Sequence, residues 1–415
     1  MPGKRVLYIS GSLGLGHITR DLAIANELRR LNPEIEISWL AAHPANRVIE
    51  EAGENMLPEA ARYVNLNLVA ETASRGFKLN LIRYASGMLK QSRQNVEIFK
   101  QVTDGNRFDL VIGDETYEIT LAFKRNPDLK TAPFVMIYDF VGFHAMTRNP
   151  LEMLGVYMLN RAWSKGYPRA RPPFDLGLFV GELDDVPDEK FGFLLPNRRE
   201  FARARYEFLG YVFPFDPADY VDQERIRTKL GYGREPLVVC SIGGTSIGRE
   251  LLELCGQAFP LIRKSIPNLR MVLVCGPCLS AGSLKVPHEV EVREYVPSLH
   301  EHLAASSLAI VQGGGTTTLE LTALRRPFIF FPIEGHCEQE IEVAGRLARH
   351  RAGIKMSYSQ TTPELLARQV VANIGKEVDY APVRTDGARR AAELIAGLLY
   401  NTIPSWGTRA KFAQF

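Results

Sequence analysis

The stretch that decides the fold is QGGGTTTLE, residues 312–320. It follows a short apolar run, Leu308–Val311, which predicts a buried parallel strand, and it leads into a helical pattern, Leu319–Leu324. Three glycines at a strand-to-helix junction allow close approach of a ligand, and the helix N-terminus offers unpaired N–H groups with positive dipole character. The stretch therefore predicts a phosphate-binding turn in an α/β domain. A second interpretation stays open, in which Thr317 and Glu320 form a capping box that only closes their own helix.

Size and composition narrow the class of protein. A chain of 415 residues predicts two domains. With 46% apolar and 23% charged residues, the composition is that of a soluble globular protein. The net charge of +3 and the lack of an RNP-like or zinc-finger motif disfavour nucleic acid as a partner. No apolar run is long enough for a signal peptide or a membrane span, which favours the cytoplasm.

The cysteines and acidic residues give little support for disulfides or metals. Five cysteines in a large chain disfavour a disulfide framework and indicate a reducing compartment. The pair Cys275 and Cys278 has redox or zinc spacing, but no second pair completes a zinc site, so a structural role is favoured. No Asp-x-Asp motif occurs, and we expect neither a metal nor a cofactor.

Alternating strands and helices predict an α/β fold with two Rossmann-like, doubly wound domains that face a cleft. The first domain is expected over residues 1–210, the second over 211–385, and a helix over 386–400 is expected to cross back to the first domain, followed by a frayed tail at 405–415. Strands of the first domain are predicted at Val6–Ser10, Ile35–Ala41, Tyr63–Leu68, Asp109–Gly113 and Phe134–Tyr138. Strands of the second are predicted at Leu237–Ile242, Arg270–Cys275, Val290–Arg293, Leu308–Val311, Pro327–Phe331 and Gly353–Lys355.

The same strand positions carry polar turns in both domains. The first strand ends in the loop Gly11–His17 in one domain and Gly243–Thr245 in the other. The fourth strand ends at Asp114 in one and at the 312–320 stretch in the other. In sheets of order 3-2-1-4-5 the first and fourth strands are neighbours at the ligand-binding edge. We therefore expect His17 beside Asp114, and the two glycine turns of the second domain beside each other.

The first glycine loop is not a nucleotide fingerprint. No Gly-Lys-Ser/Thr follows it, and strand two ends without an acid to hold a ribose, so NAD is disfavoured. At the start of a helix His17 is unfavourable as a cation, and a neutral imidazole can act as a base. Asp114 would fix its tautomer. A polar cap residue without chemistry is the open alternative for His17.

These motifs resemble those of GT-B glycosyltransferases, most of all the family that contains MurG and the plant galactolipid synthases. The likeness spans about residues 4–400. The Gly11–His17 loop resembles that family's N-terminal loop, and 312–320 is similar to its donor-site run, with Gln312 where many relatives have His. The segment Pro332–Glu340 resembles its sugar-contacting loop, although Glu340 stands in place of an expected Gln. The segment Tyr295–Pro297 is similar to the one whose backbone reads the uracil.

The resemblance implies an inverting, metal-independent transfer of a sugar from a UDP-sugar to an acceptor hydroxyl. His17 would be the base and Asp114 its orienting partner. Glu320 would hold the ribose, and the sugar would contact the 332–340 loop. The expected donor-binding residues are Gly16, Gly243, Gly244, Thr245, Gly276, Val296, Gln312, Gly314, Gly315, Thr316, Thr317, Glu320, Gln339 and Glu340.

Two other functions stay open. The same fold serves sugar-nucleotide epimerases, although their usual Gly-Thr-Arg-Pro-Glu stretch is absent here. The chain could also be a non-catalytic nucleotide-sugar-binding subunit. Retention of both His17 and Glu320 in one chain argues against that second function.

A last expectation concerns the acceptor, which would be lipid-linked or a small metabolite. The stretch Phe77–Lys100 combines apolar and basic side chains, as suits a helix on an anionic membrane surface at the inner face of the membrane. A helix packed on its own sheet with a basic solvent face is the alternative. The apolar residues are Leu79, Leu81, Ile82, Tyr84, Met88 and Leu89, and the basic ones are Lys78, Arg83, Lys90 and Arg93.

Overall fold

Two sets of parallel strands form the framework of the chain. A computed structural model describes residues 3–11, 14–64 and 66–402, and the side chains of all of these except residues 66, 67, 81, 82, 85 and 88–90. Within these residues the strands are β1 Arg5–Ile9, β2 Glu36–Leu40, β3 Asn55–Met56, β4 Ser74–Arg75, β5 Lys78–Leu79, β6 Leu110–Asp114, β7 Phe134–Tyr138, β8 Leu176–Phe179, β9 Glu207–Phe208, β10 Leu237–Ser241, β11 Arg270–Val274, β12 Glu291–Arg293, β13 Leu308–Gln312, β14 Phe328–Phe331 and β15 Ile354–Lys355.

Helices alternate with most of these strands. They are α1 Gly16–Leu31, α2 Ala45–Glu51, α3 Leu66–Ala73, α4 Leu81–Gly105, α5 Tyr117–Arg125, α6 Pro150–Trp163, α7 Arg198–Arg205, α8 Gln223–Leu230, α9 Arg249–Arg263, α10 Leu299–Ala305, α11 Gly315–Ala323, α12 Ala344–Arg349, α13 Pro363–Asn373 and α14 Gly387–Leu399. No helix within the described ranges combines the length and apolar character needed to cross a bilayer.

The sheet order confirms the predicted fold class. One parallel sheet has the order β3-β2-β1-β6-β7-β8-β9, and the other has the order β12-β11-β10-β13-β14-β15. In each sheet the first strand therefore lies between the second and the fourth. At that position the carboxyl ends of the first and fourth strands form the ligand-binding edge of a doubly wound sheet.

Burial on both faces explains why the strands are apolar without interruption. In β1 the side chains of Val6 and Tyr8 enter one core cluster, whereas Leu7 and Ile9 enter the other. The Tyr8 ring stacks on Trp39 with ring centroids 4.5 Å apart. A parallel sheet with helices on both faces needs apolar side chains in both directions, which is why no polar alternation is seen.

The chain divides into two compact units. The first comprises Met1–Val69, Ile82–Pro214 and Arg384–Phe415, and the second comprises Ala70–Leu81 and Phe215–Val383. The boundary near Pro214 lies a few residues beyond the expected one at 210. The expected assignment of all of residues 1–210 to the first domain is wrong, because Ala70–Leu81 groups with the second unit.

Backbone hydrogen bonds explain why Ala70–Leu81 belongs to the second unit. The amide of Leu79 donates to the Glu334 carbonyl at 2.9 Å, and the Glu334 amide donates to the Phe77 carbonyl at 3.1 Å. The Phe77 ring also packs against Tyr358, with centroids 5.0 Å apart. These partners are more than 250 positions away along the sequence, so no local pattern could have indicated them.

The third strand was also predicted in the wrong place. Residues 63–68 were expected to form it, but β3 lies earlier, at Asn55–Met56, and a helix, α3, begins at Leu66. Tyr63 and Val64 are buried although they are not in a strand. A short apolar run is compatible with either element, and here the buried contacts come from a connecting segment.

Parts of the expected membrane helix and of the tail lie outside the described residues. Leu79 is buried in β5, whereas Lys78, Arg83 and Arg93 are exposed and Tyr84 is half-buried. The side chains of Leu81, Ile82, Met88, Leu89 and Lys90 are not described, and neither is the tail 405–415.

The helix α14 packs against α1 within the first unit. Its buried face includes Ala391, Ala392 and Ile395, all fully enclosed. Gly387 begins the helix where a Cβ would lie only 2.5 Å from the Tyr211 carbonyl oxygen. Only a glycine allows the helix to start this close to the backbone.

Truncation of Ile395 should therefore destabilise the first unit. We expect Ile395→Ala to lower its free energy of unfolding by about 2–5 kcal/mol, because a buried aliphatic side chain is replaced by a cavity. Urea unfolding followed by tryptophan fluorescence reports on this unit, since Trp39 and Trp163 belong to it and the sequence of the second unit contains no tryptophan. The control is Glu393→Ala on the exposed side of the same helix. Equal stability of the two variants would contradict the packing of α14.

Candidate active site

In the first unit, the glycine loop brings a histidine to the end of β1. Gly14 has φ +80°, and α1 begins at Gly16, one residue before His17. A Cβ at Gly11 would lie 3.0 Å from the Asp114 carbonyl oxygen and 3.4 Å from the Nδ1 of His17. Glycine at position 11 therefore leaves room for the imidazole against the end of β6.

His17 and Asp114 lie side by side, as the strand order predicts. The Nδ1 of His17 is 2.8 Å from the Oδ2 of Asp114. The Asp114 side chain is fully enclosed, whereas 13% of the His17 side chain is exposed. The other ring nitrogen, Nε2, is 3.8 Å from a carboxylate oxygen of Glu115. Glu115 has φ +51°, an unusual conformation for a residue other than glycine.

Sequence analysis missed Arg20, which connects this pair to a third strand end. Its guanidinium donates to both carboxylate oxygens of Asp114, at 3.2 and 2.5 Å, and to Asp139 at 2.7 Å. It also lies 2.8 Å from the Nδ1 of His17. Arg20 is one helical turn beyond His17, so the i, i+3 spacing was a signal that could have found it.

The charges in this cluster are strongly coupled. Burial alone would raise the pKa of Asp114, but the Arg20 guanidinium and the His17 ring hold it below its ordinary value. Asp139 likewise has a lowered pKa, because the attraction of Arg20 outweighs burial. Burial and the nearby Asp114 raise the pKa of Asp21, which accepts hydrogen bonds from Tyr8 and Ser10. The cluster therefore keeps Asp114 ionised next to His17.

In the second unit, the expected donor residues gather at the carboxyl edge of the sheet. Gly243 and Gly276 both have positive φ values, +80° and +79°. A Cβ at Gly276 would lie 2.0 Å from the Gly243 carbonyl oxygen, so only glycine lets these two loops pack together. The Gly276 amide donates to the Glu294 carbonyl at 2.6 Å, which places the buried Val296 just beyond the same edge.

The two glycine turns of this unit are joined by the side chain of Gln312, which was expected among the donor-binding residues. The Gln312 amide nitrogen donates to the Ile247 carbonyl at 2.9 Å, and the Gln312 side chain is buried. Gln312 therefore holds the 243–248 loop against β13. Gly244 lies in that loop beside Thr245, whose buried hydroxyl has no hydrogen-bond partner among the described residues.

The helix after the three glycines is not closed by a capping box. Its N-cap is Gly314, without a side-chain cap, so Gly315, Thr316 and Thr317 occupy the first turn. The Thr318 hydroxyl instead donates back to the Gly314 carbonyl at 2.8 Å. Because Thr317 is inside the helix, Glu320 cannot be explained as its capping partner, and the first-turn N–H groups keep no side-chain acceptor.

Glu320 lies at the buried face of this helix without a hydrogen bond to its carboxylate within the described part of the chain. Only 6% of the residue is exposed, and burial raises its pKa to about 8. A buried carboxyl without a partner is costly when ionised. It would be stabilised by a ligand that donates hydrogen bonds to it.

In the loop that was expected to contact the sugar, two side chains accept hydrogen bonds from backbone amides of the same loop. The Oε1 of Gln339 accepts from the Ile333 amide at 2.9 Å, and the Oε2 of Glu340 accepts from the Gly335 amide at 3.2 Å. Both residues lie in a π-helical segment, Glu338–Val343. Such segments are frequent at functional sites. In this arrangement the two side chains organise the loop.

A second residue missed from the sequence is Glu71. Its carboxylate accepts from the Ser246 amide at 2.9 Å, at the end of the glycine loop that begins at Gly243. Glu71 precedes Ser246 by 175 positions, and only the grouping of Ala70–Leu81 with the second unit brings it there. It shows that a backbone N–H group of this loop donates to an anionic oxygen.

The described residues contain no cluster of His, Cys, Asp or Glu suited to a metal ion. None of the five cysteines, all within the described ranges, forms a disulfide, and burial raises the pKa of the Cys275 and Cys278 thiols to about 11. Thiols with such values are poor nucleophiles near neutral pH.

Comparison with known proteins indicates the class of protein to which the chain is similar. Residues 238–395 match the model of the glycosyltransferase family 28 C-terminal domain. An uncharacterized glycosyltransferase of Methanosarcina mazei is 26% identical over 385 residues, which is 88% of each chain. A UDP-N-acetylglucosamine–N-acetylmuramyl-(pentapeptide) pyrophosphoryl-undecaprenol N-acetylglucosamine transferase of Clostridioides difficile is 24% identical over 408 residues, 94% of this chain and 87% of that protein.

Solved structures share the whole fold. The glycotransferase of kitacinnamycin has a TM-score of 0.58 at 16% identity, covering 96% of this chain and 99% of its own. The calicheamicin glycosyltransferase CalG4 has a TM-score of 0.56 at 17% identity, covering 97% and 100%. The chain is thus a glycosyltransferase of the GT-B fold. In sequence it resembles the transferases of the MurG type.

Glu320 should make the stability of the second unit fall as the pH rises. Its pKa is about 8 in the folded chain and near 4.5 when unfolded, so the folded state binds the extra proton between these values. Stability is therefore full below about pH 4.5 and is lost as the pH passes through about 8. Calorimetric unfolding at pH 6 and pH 9 should show a smaller loss for Glu320→Gln than for the wild type. Glu377→Gln, at an exposed position of the same unit, is the control and should behave as wild type. Identical pH dependence in all three proteins would contradict the buried, partnerless carboxyl.

Proposed function

We propose that the chain transfers a sugar from a UDP-sugar to an acceptor hydroxyl with inversion of the anomeric configuration. The observation that carries this proposal is the pair of the partly exposed His17 and the buried Asp114, 2.8 Å apart at the carboxyl edge of the first sheet. A histidine with one nitrogen on a carboxylate and the other available is the arrangement of a general base.

The proton path follows from this geometry. With the Nδ1 proton directed to Asp114, the lone pair of Nε2 accepts the proton of the acceptor hydroxyl. The acceptor oxygen forms a bond to the anomeric carbon while the bond from that carbon to the diphosphate oxygen breaks. Attack opposite the leaving group inverts the configuration. The negative Asp114 stabilises the imidazolium that results.

Arg20 reduces the negative charge that Asp114 presents to His17. Because its guanidinium occupies both Asp114 oxygens, the carboxylate shares its charge between an arginine and the histidine. The cation also lies 2.8 Å from the His17 ring, where it opposes a second positive charge. We therefore assign to Arg20 a positioning role, in which it holds the Asp114 carboxylate against the His17 ring.

The second unit supplies the groups that would hold the donor. The first-turn amides of α11, beyond Gly314, would bind the diphosphate together with the Gly243–Thr245 loop, and the free Thr245 hydroxyl is a further donor. The partnerless Glu320 carboxylate would accept from the ribose hydroxyls. The backbone at Val296 would read the base. Gln339 and Glu340 would reach the sugar by leaving their own loop amides.

The departing diphosphate gains charge as the bond to the sugar breaks. Backbone N–H groups at a helix N-terminus stabilise such a charge, and the sequence offers no Asp-x-Asp motif to hold a metal beside it. We therefore propose a metal-independent reaction that also uses no cofactor.

The nucleotide can be tested directly. The C. difficile relative is named for a UDP-sugar, whereas one similar structure, spinosyn rhamnosyltransferase SpnG (TM-score 0.55), is described as a complex with thymidine diphosphate. A thermal-shift screen of UDP, thymidine diphosphate and their sugars distinguishes the two, since ligand at one hundred times its Kd adds about 2.7 kcal/mol of stability. UDP should give the larger shift.

The acceptor is proposed to be lipid-linked or a small metabolite. For a lipid-linked acceptor, the chain would bind peripherally to an anionic membrane at its cytoplasmic face. The exposed Lys78, Arg83 and Arg93, near and on α4, are one set of basic side chains on the first and second units that such a contact could use, and a test must compare them with other basic surfaces.

Loss of the base should abolish most of the turnover. We expect His17→Ala to lower kcat by about 10²–10⁴-fold and to leave the affinity for UDP unchanged, because the base acts on the acceptor. The measurement is UDP release in the presence of donor and acceptor, with UDP affinity from calorimetry. His288→Ala, a fully solvated histidine of the second unit, should keep wild-type turnover. The product anomer, read by NMR, should be opposite to that of the donor. A loss below about threefold would remove His17 from the mechanism.

The affinity for UDP should depend on the ionisation of Glu320. Ribose hydroxyls form charge-assisted hydrogen bonds only with the ionised carboxylate, whose pKa is about 8 in the empty protein. Binding should therefore weaken about tenfold from pH 9 to pH 7, a window in which the diphosphate, with a pKa near 6, changes little. Glu320→Gln should bind UDP about 5–150-fold more weakly at pH 9 and show no such pH dependence. Calorimetric titration at both pH values measures each effect. A wild-type affinity that is equal at pH 7 and pH 9 would refute the role of Glu320.

A further inference from the structure

The helix α6 in the first unit has its polarity inverted. Its buried residues include Glu152 and Asn160. Its exposed residues include Leu151, Leu154 and Met158, which are 73%, 58% and 51% exposed. A helix that only packs on its own domain buries its apolar side chains and exposes its polar ones.

The buried polar residues of α6 form hydrogen bonds with the loops around it. The fold itself therefore requires the polar side of this helix to face inward. Glu152 accepts from the amides of Met146 and Thr147, at 2.6 and 3.1 Å. Asn160 accepts from the Phe143 amide and donates to the carbonyls of Phe143 and Phe191. These bonds fix the rotation of the helix, and they leave the leucine and methionine side chains on the outside.

A neighbouring turn extends the apolar surface. Phe193 and Leu194 are 80% and 82% exposed, the two highest values among the large apolar residues of the described chain. The turn is attached to α6 through Tyr157, whose hydroxyl donates to the Phe193 carbonyl at 3.3 Å. We call the exposed side chains of Leu151, Leu154, Met158, Phe193 and Leu194 the α6 surface. Contiguous apolar surface of this kind is unusual on a protein without a partner.

The charges around the α6 surface are almost all positive. Between residues 145 and 171 the only acidic residue is the buried Glu152. The exposed basic residues of that segment are Arg148, Arg161, Lys165, Arg169 and Arg171. Along the exposed stripe of the helix, Arg161 continues the spacing of Leu154 and Met158, and Lys165 follows just beyond the end of the helix. Next to the turn, Glu189 is near His144 and Arg198, at 3.3 and 3.5 Å.

We propose that the α6 surface binds an anionic lipid bilayer, with its apolar side chains inserted among the acyl chains and its basic side chains at the headgroups. A 14-residue helix is about 21 Å long and lies in the plane of the interface when it binds in this way. A bilayer satisfies both features at once, since it offers hydrocarbon and negative charge side by side.

A second copy of the chain fits this surface less well. A two-fold contact would bring the same basic residues opposite each other, and the segment 145–171 has no exposed acid to pair with them. The inference depends on the proposed function only in its link to a lipid-borne acceptor, because docking is a binding property that can be measured without turnover.

The test is co-sedimentation of the full chain with phosphatidylcholine vesicles, with and without phosphatidylglycerol. We expect binding only to the anionic vesicles and weaker binding at 1 M than at 0.1 M salt, since the Debye length falls from about 10 to about 3 Å. Leu154→Glu with Met158→Glu should weaken binding at least about tenfold. Arg161→Glu with Lys165→Glu should remove the preference for anionic vesicles.

Matched controls make the result specific. Leu121→Glu with Val221→Glu changes two exposed apolar residues elsewhere and should leave binding intact, as should Lys78→Glu with Arg83→Glu. All variants should keep the circular dichroism spectrum and the UDP affinity of the wild type, so a folding defect or a failure of the proposed function is recognised separately.

Three results would overturn the proposal. One is the absence of binding to either kind of vesicle. Another is loss of binding only in the Lys78 and Arg83 variant, which would place the contact at α4. The third is a concentration-dependent dimer, without vesicles, that the Leu154 and Met158 substitutions dissociate.

Discussion

Parallel pairing of the first and fourth strands is the constraint on which both units depend. It aligns Val6 with Leu110 in one sheet and Val238 with Leu308 in the other. Because the strands are parallel, their carboxyl ends emerge together, and residues far apart in sequence become neighbours there. In the first unit this pairing joins a glycine loop to an acidic strand end. In the second it joins two glycine turns.

The carboxyl edges of the two sheets differ in whether a buried carboxyl group there has a partner. In the first unit every buried carboxylate at the edge has a partner, because one guanidinium serves Asp114 and Asp139 together. In the second unit the Glu320 carboxyl is buried without a hydrogen-bond partner among the described residues, and burial raises its pKa to about 8. A satisfied cluster is rigid before substrate arrives, whereas an unsatisfied carboxyl gains free energy when a ligand supplies hydrogen bonds. The first arrangement suits a positioned base, and the second suits a binding group.

Surface chemistry follows from buried hydrogen bonds in the same way. The rotation of α6 is set by Glu152 and Asn160, which serve backbone groups of neighbouring loops. Its leucines and methionines face outward as a consequence. The composition of the stretch Phe77–Lys100 suits a helix on a membrane surface. Its Leu79 is nevertheless buried, in the strand β5. Composition along a segment does not reveal which side of it is covered, because that depends on distant partners.

The sequence by itself determined the fold class, the strand order, the glycine turns and the candidate pair His17 and Asp114, because these depend on periodicity and on the connectivity of parallel sheets. Tertiary structure alone decided the rest. It brought Glu71 to the Ser246 amide, removed Ala70–Leu81 from the first unit and engaged Gln312 with the Ile247 carbonyl. It also showed that Thr317 is no cap for Glu320. Each of these is a hydrogen bond or a burial between residues that no local pattern relates, and only the folded chain brings them within reach of one another.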